Sequence, residues 1–170
     1  MRQEQPSARH GRVRRSIPAI AFAASVSTAV IAAPVAANEK CPTPINQMAA
    51  VIRVQADVFA ALENEHQPTW QRLRTRDFVA FEGGHRYGRT ALFDTIKYAY
   101  GIGQHFSWCV TNPRLEGACT VATLIYVNQG SISQGSSRLP VWWLETATFR
   151  YGEGRWRVVF MESMRESAAD

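Results

Sequence analysis

Glu145 is the residue best placed by its neighbours to do chemistry. It lies in the run Val141-Trp142-Trp143-Leu144-Glu145-Thr146-Ala147-Thr148-Phe149. In an extended strand, successive side chains alternate between faces, so Glu145 shares its face with Trp143, Ala147 and Phe149. A carboxyl group set in an apolar wall tends to hold its proton, because burial penalises the charged form. Such a group can serve as a general acid or hydrogen-bond donor. The plainer alternative is that Glu145 pairs with an arginine such as Arg157 at a rim. Other candidate spacings fail on their context. Glu82 and His85 have the spacing of a helical metal pair, but Gly83-Gly84 between them opposes a helix. Gly101-Ile102-Gly103 follows a predicted helix instead of preceding one, so it is no phosphate cradle. The Gly130–Gly135 stretch has no Gly-x-Ser-x-Gly elbow. His66, His85 and His105 are scattered, so neither a metal site nor a cofactor is predicted.

A hairpin must position Glu145. Val141–Tyr151 and Arg155–Met164 flank Gly152-Glu153-Gly154 and read as two strands. Pairing Tyr151 with Arg155 sets Glu145 opposite Met161 and Ala147 opposite Val159. One face then carries Trp143, Glu145, Ala147, Phe149, Val159, Met161 and Ser163. The other carries Trp142, Leu144, Thr146, Trp156, Val158, Phe160 and Glu162. Both faces are largely apolar, yet helices can cover only one. Large aromatics present up to about 150–250 Å² each, which rivals the largest apolar patch of an ordinary monomer, about 300–600 Å². The outer face is therefore predicted to be covered by a second copy of the chain, a homodimer. The alternative covers are a polar loop over Gln129–Pro140 or the N-terminal segment.

Upstream, Asn46 reads as the N-cap of a helix over Gln47–Asn64, with Met48, Val51, Ile52, Val58, Phe59 and Leu62 forming one apolar stripe. Pro68 and Thr69 open a shorter helix towards Asp77. Phe78–Glu82 is a short extended piece ending at Gly83-Gly84. Thr90 caps a third helix that stops at Gly101. From His105 onward the pattern turns to strand: Phe106–Leu115 and Ala118–Val127 flank a Glu116-Gly117 turn. Helices followed by an antiparallel meander define an α+β class.

Composition limits the partners. The net charge is +5, but Arg2, Arg9, Arg12, Arg14 and Arg15 against Glu4 place +4 of it before residue 38. The remainder is too weakly basic for a nucleic-acid footprint. Those arginines precede the uncharged run Ile17–Ala37, which ends in Val35-Ala36-Ala37, the pattern of a secretory signal peptide. Residues 1–37 are predicted to be cleaved near Ala37, leaving a periplasmic or secreted protein with no membrane anchor. Arg14-Arg15 leaves both the general and the twin-arginine export routes open. A linker over 38–45 leads into the domain at 46–166, with a tail at 167–170. Of Cys41, Cys109 and Cys119, two can form a disulfide in an oxidising compartment; the pairing is open.

The order of elements and several local motifs resemble the nuclear transport factor 2-like superfamily, including its ketosteroid isomerase-like and SnoaL-like members. The motifs are Gly88-Arg89 at a helix start, Trp108-Cys109-Val110-Thr111-Asn112-Pro113, Leu144-Glu145-Thr146-Ala147, and Gly154-Arg155-Trp156-Arg157-Val158-Val159-Phe160 with Ser163 and Arg165. The chain looks most like the branch called domain of unknown function 4440, but has Glu162 where that branch often carries a histidine. The resemblance implies a cone: N-terminal helices packed on a curved, mainly antiparallel sheet, with a pocket at the open end. Trp143, Phe149 and Met161 on the inner face of the last hairpin are candidate pocket residues; Trp108, Ile125 and Tyr126, from the central strands, are pocket or core residues, with Trp108 and Ile125 cross-strand neighbours and Tyr126 pointing the other way. The resemblance sets Glu145 near an acidic oxyanion donor and Glu82 on the segment where isomerase-like members carry a base. The first helix has no tyrosine, which argues against ketosteroid isomerisation itself. Three functions follow as alternatives: binding of a small, largely apolar molecule, acid–base catalysis of the isomerase, dehydratase or cyclase type, or homo-oligomeric assembly.

Overall fold

The computed structural model describes residues 44–166. The expected signal peptide with Arg14-Arg15 and its cleavage point, most of the linker, Cys41 and the tail lie outside the described residues. Helix α1 runs Pro44–Glu63 and α2 runs Gln67–Leu73. Strands β1 (Arg74–Glu82) and β2 (His85–Gly88) form a hairpin before α3 (Ala91–Gly101). Then come β3 (Gln104–Ser107), β4 (Val110–Ala118), β5 (Val121–Gln134), β6 (Ser137–Gly152) and β7 (Arg155–Arg165). This is the expected α+β class.

The seven strands form one sheet in the order β2-β1-β7-β6-β5-β3, with β4 also paired to β5. Every pairing is antiparallel except β1 with β7. The apolar stripe of α1 is buried as its spacing demands: Val51, Val58, Phe59 and Leu62 join Trp70, Phe78, Leu124, Phe149, Trp156 and Val158 in one core.

Several boundaries differ from the sequence reading, each for a local reason. Helix α1 starts at Pro44, because a proline in the first turn has no amide to lose and its φ already suits the helix; Asn46 therefore lies inside the helix and does not cap it. The turn expected at Glu116-Gly117 lies at Cys119-Thr120, since Ala118 pairs with Val121. Cys119 takes a left-handed φ of 58° there. The polar stretch 129–140 is not a loop. It is a continuation of β5 and β6, paired down to Gln134 with Ser137. Gly130 is required within it, because a Cβ would sit 1.9 Å from the Ser107 carbonyl oxygen and 3.1 Å from the Trp143 ring.

The last hairpin is tighter than expected, and this reverses part of the face assignment. Gly152 pairs with Arg155 and Tyr151 with Trp156, so Trp156 and Val158 turn inward and are buried. A bulge then absorbs Val159, between the pairs Phe149–Val158 and Thr148–Phe160. That one extra residue restores the alternation. Met161 and Ser163 therefore face inward as expected, but Ala147 meets Met161 and Glu145 meets Ser163.

Candidate functional site

On the concave face, four polar residues stand in one line across four adjacent strands. Glu82 of β1 pairs in register with Ser163 of β7, Ser163 with Glu145 of β6, and Glu145 with Tyr126 of β5. Residues directly opposite each other share a face and bring their side chains together. Asn128, two residues beyond Tyr126, falls on the same face and is fully buried.

The Tyr126 hydroxyl and Glu145 Oε2 share a very short hydrogen bond. Asn128 Nδ2 donates to Glu145 Oε1 at 2.9 Å, and Ser163 Oγ donates to the same oxygen at 3.2 Å. The orientation of Asn128 is fixed, because its Oδ1 accepts the Cys109 backbone N–H at 2.9 Å. Both carboxyl oxygens thus receive donors: Oε2 the Tyr126 hydroxyl, and Oε1 the Asn128 amide and the Ser163 hydroxyl.

Glu145 is only 6% exposed. Burial pushes its pKa up to about 7, and the nearby Glu82 adds to the rise, while the bonds from Tyr126, Asn128 and Ser163 oppose it. Burial also raises Glu82, against the hydrogen bond it shares with Ser163. Tyr126 is held far above its usual value by burial and by the Glu145 charge. The arrangement can hold a proton near neutral pH, with a second carboxylate one serine away. The set fits acid–base work.

Of the residues expected at the site, the structure gathers Glu145, Glu82 and Tyr126, with Trp143 and Met161 buried on the same face. Phe149 is fully buried in the core. Trp108 is half-buried and stacks on Phe59 of α1 at 5.4 Å, while Phe59 meets the Tyr126 ring at 6.4 Å. Ile125 is a correction. Arg114, not Trp108, is its cross-strand neighbour, and its side chain is 42% exposed on the outer face. The strand preceding it is bulged at Asn112-Pro113, which the pattern does not reveal. Arg157 does not pair with Glu145; it sits 3.0 Å from Glu153 in the final turn. Sequence reasoning missed Asn128 and Gln55. Both are fully buried polar residues at positions whose spacing calls for apolar ones. It also looked for a tyrosine on the first helix, whereas the phenol comes from β5.

On the outer face, Ile125, Trp142, Leu144 and Met164 are between 42% and 62% exposed. A groove of about 490 Å³ runs there, lined by Ile125, Val127, Leu144 and Met164 together with Arg114 and Glu162. Phe160 packs edge-on against Phe81 at 5.6 Å beside it.

Neither a family model nor a curated protein matches the sequence. Solved structures do match the fold. A nuclear transport factor 2-like protein from Cytophaga hutchinsonii aligns with a TM-score of 0.61 at 9% identity, over 71% of this chain and 99% of its own. The hexachlorocyclohexane dehydrochlorinase LinA-type3 from Novosphingobium barchaimii aligns at 0.62 with 16% identity, over 72% and 88%. The CamKII hub homology domain of Chlamydomonas reinhardtii aligns at 0.60 with 16% identity, over 71% and 98%. The chain has the nuclear transport factor 2-like fold. Its narrower resemblance to domain of unknown function 4440 rests on the sequence motifs alone.

Proposed function

We propose that the concave face binds a small, largely apolar molecule and moves a proton on it, with Glu145 as the acid and Glu82 as the base. The observation that carries this reading is the row Glu82–Ser163–Glu145–Tyr126, in which Ser163 stands in register between the two carboxyl groups and donates to Glu145. Two carboxyl groups in unlike surroundings divide the roles. Glu145, buried in an apolar wall, keeps its proton near neutrality against the three donors around it; Glu82, more exposed, is the one to accept a proton from substrate. Glu145 then delivers its proton to the atom that gains negative charge, and Ser163 passes a proton from Glu82 to Glu145 to reset the pair. Isomerisation or elimination would both use this sequence. Elimination has a parallel in the fold, since one protein of this fold is a dehydrochlorinase.

The test follows hydrogen–deuterium exchange at the α-carbon of cyclohexanone in D₂O by NMR. Acceleration by the wild type, lost about 100-fold or more in folded Glu82→Gln and Glu145→Gln, supports the reading; typical acid–base contributions are about 10²–10⁴-fold. Equal exchange by all three proteins defeats it.

A second reading concerns assembly, because the outer face is apolar and exposed. The strand pairing of residues 129–140 removes one alternative cover, since that segment extends in the sheet and does not fold over it. A two-fold pairing would bury Trp142, Leu144 and Met164 and could set Arg114 of one copy against Glu162 of the other. Another protein of this fold is a hub domain. Sedimentation at micromolar concentration tests this, and a monomer rejects it. The domain acts outside the cytoplasm after cleavage near Ala37. The disulfide-bonded state of Cys119, beside the free thiol of Cys109, suits an oxidising compartment. N-terminal sequencing of the exported protein checks the cleavage point.

A further inference from the structure

Gln55 has no structural partner and no structural excuse. It lies in the apolar stripe of α1, between Val51 and Phe59, and is fully buried. Both its amide nitrogen and its amide oxygen lack a hydrogen-bond partner. A buried amide with neither atom satisfied is strongly unfavourable, and such groups persist where something completes them. An apolar side chain of similar volume would fill the stripe without that penalty. The amide sits close enough to the Tyr126 hydroxyl to favour the phenolate, although outside hydrogen-bonding geometry. Phe59, one turn further along the same stripe, meets the Tyr126 ring at 6.4 Å, so this face of α1 is turned toward the row of polar groups that holds the proposed acid and base.

The chemistry of the pair narrows what could complete it. An amide presents a donor and an acceptor side by side in one plane. When Glu145 carries its proton at Oε2, it donates to the Tyr126 oxygen, and the phenol O–H is free to turn elsewhere. Gln55 Nε2 and the Tyr126 hydroxyl are then two donors for one carbonyl oxygen. Gln55 Oε1 remains as an acceptor for an N–H or O–H next to that carbonyl. A ligand with an acceptor alone would leave Oε1 unpaired; a purely apolar one would leave both atoms unpaired.

We infer that Gln55 recognises the polar head of the ligand, and that this head is a carbonyl with a donor on the neighbouring atom, as in a carboxamide or an enolised dicarbonyl. The inference rests on the concave face being a ligand site, and its test separates the two ideas. Binding of benzamide and of acetophenone, which keeps the carbonyl but has no donor, is measured by calorimetry for the wild type, Gln55→Leu and Gln55→Met. The wild type is expected to prefer benzamide by about tenfold or more, since a site with a buried polar group rejects a ligand that leaves it unpaired. Both variants, their fold confirmed by circular dichroism, are expected to bind the two probes alike, since neither side chain presents the amide. Acetophenone binding with no preference in the wild type, or a preference that survives in either folded variant, removes the role of Gln55 while leaving the pocket. Failure of both probes to bind the wild type overturns the pocket itself, and the inference with it.

Discussion

The two faces of β5, β6 and β7 each carry a patch that departs from the usual distribution of polarity. Inward, these strands carry Tyr126, Asn128, Glu145 and Ser163; outward, they carry Ile125, Trp142, Leu144 and Met164. An antiparallel sheet with one solvated face normally keeps its polar side chains outside. Here the buried face holds a titratable network within an apolar wall, and the open face exposes large apolar groups. Neither choice stabilises an isolated monomer. Both are intelligible if each face meets something else: a small molecule inside, another surface outside.

The two faces should respond differently to mutation. The largest effect belongs to the core beneath the row. Phe149→Ala should lower stability by about 3–5 kcal/mol in urea unfolding, because Phe149 is fully buried and its removal leaves a cavity. Next comes the pH dependence of Glu145. Its pKa of about 7 when folded lies above the ordinary carboxyl value of 4.5. The native state therefore binds more protons than the unfolded state between those values. The contribution of Glu145 to stability should be largest below about pH 4.5 and should be lost as pH rises towards 7, by up to about 3 kcal/mol. Glu145→Gln should remove most of this slope and gain on the wild type above pH 7. Tyr126→Phe removes the bond that favours the Glu145 carboxylate, so the midpoint of that titration should move upward by about one unit, about 1.4 kcal/mol. Outer-face changes should leave the monomer fold nearly untouched. Leu144→Glu should alter unfolding by no more than about 0.5 kcal/mol, as exposed positions do, yet should halve the mass seen by light scattering if the wild type is a dimer. An unchanged mass would separate the outer face from assembly. Smallest of all is Asp77→Asn: the exposed pair with Arg150 at 3.2 Å should contribute only a few tenths of a kcal/mol.

The same contrast shows what the sequence could disclose. Alternation alone placed Glu145 and Trp143 inward and Trp142 and Leu144 outward, since β6 has no irregularity between them. It failed at Trp156 and Ile125. The tight Gly152–Arg155 turn and the bulge at Val159 cancel each other over two strand segments, so the face of Trp156 depended on turn geometry invisible in the residue types. Met161 and Ser163 came out correctly because two shifts of one residue compensate. The partners of Glu145 were less legible. Tyr126 and Asn128 lie 19 and 17 positions away along the chain, and only the β5–β6 register brings them to it. Ser163 appeared in a resemblance motif without a role, and Gln55 carried a signal that went unread: an amide within an otherwise apolar stripe.

A carbon-detected NMR titration of the side-chain carboxyls, with Glu145→Gln used to assign the resonance, tests the central claim most directly. The account predicts a Glu145 midpoint near pH 7 in the folded protein. A midpoint at or below about 4.5 would mean a carboxylate comfortable with its charge, and the concave row would then hold no proton to give at neutral pH.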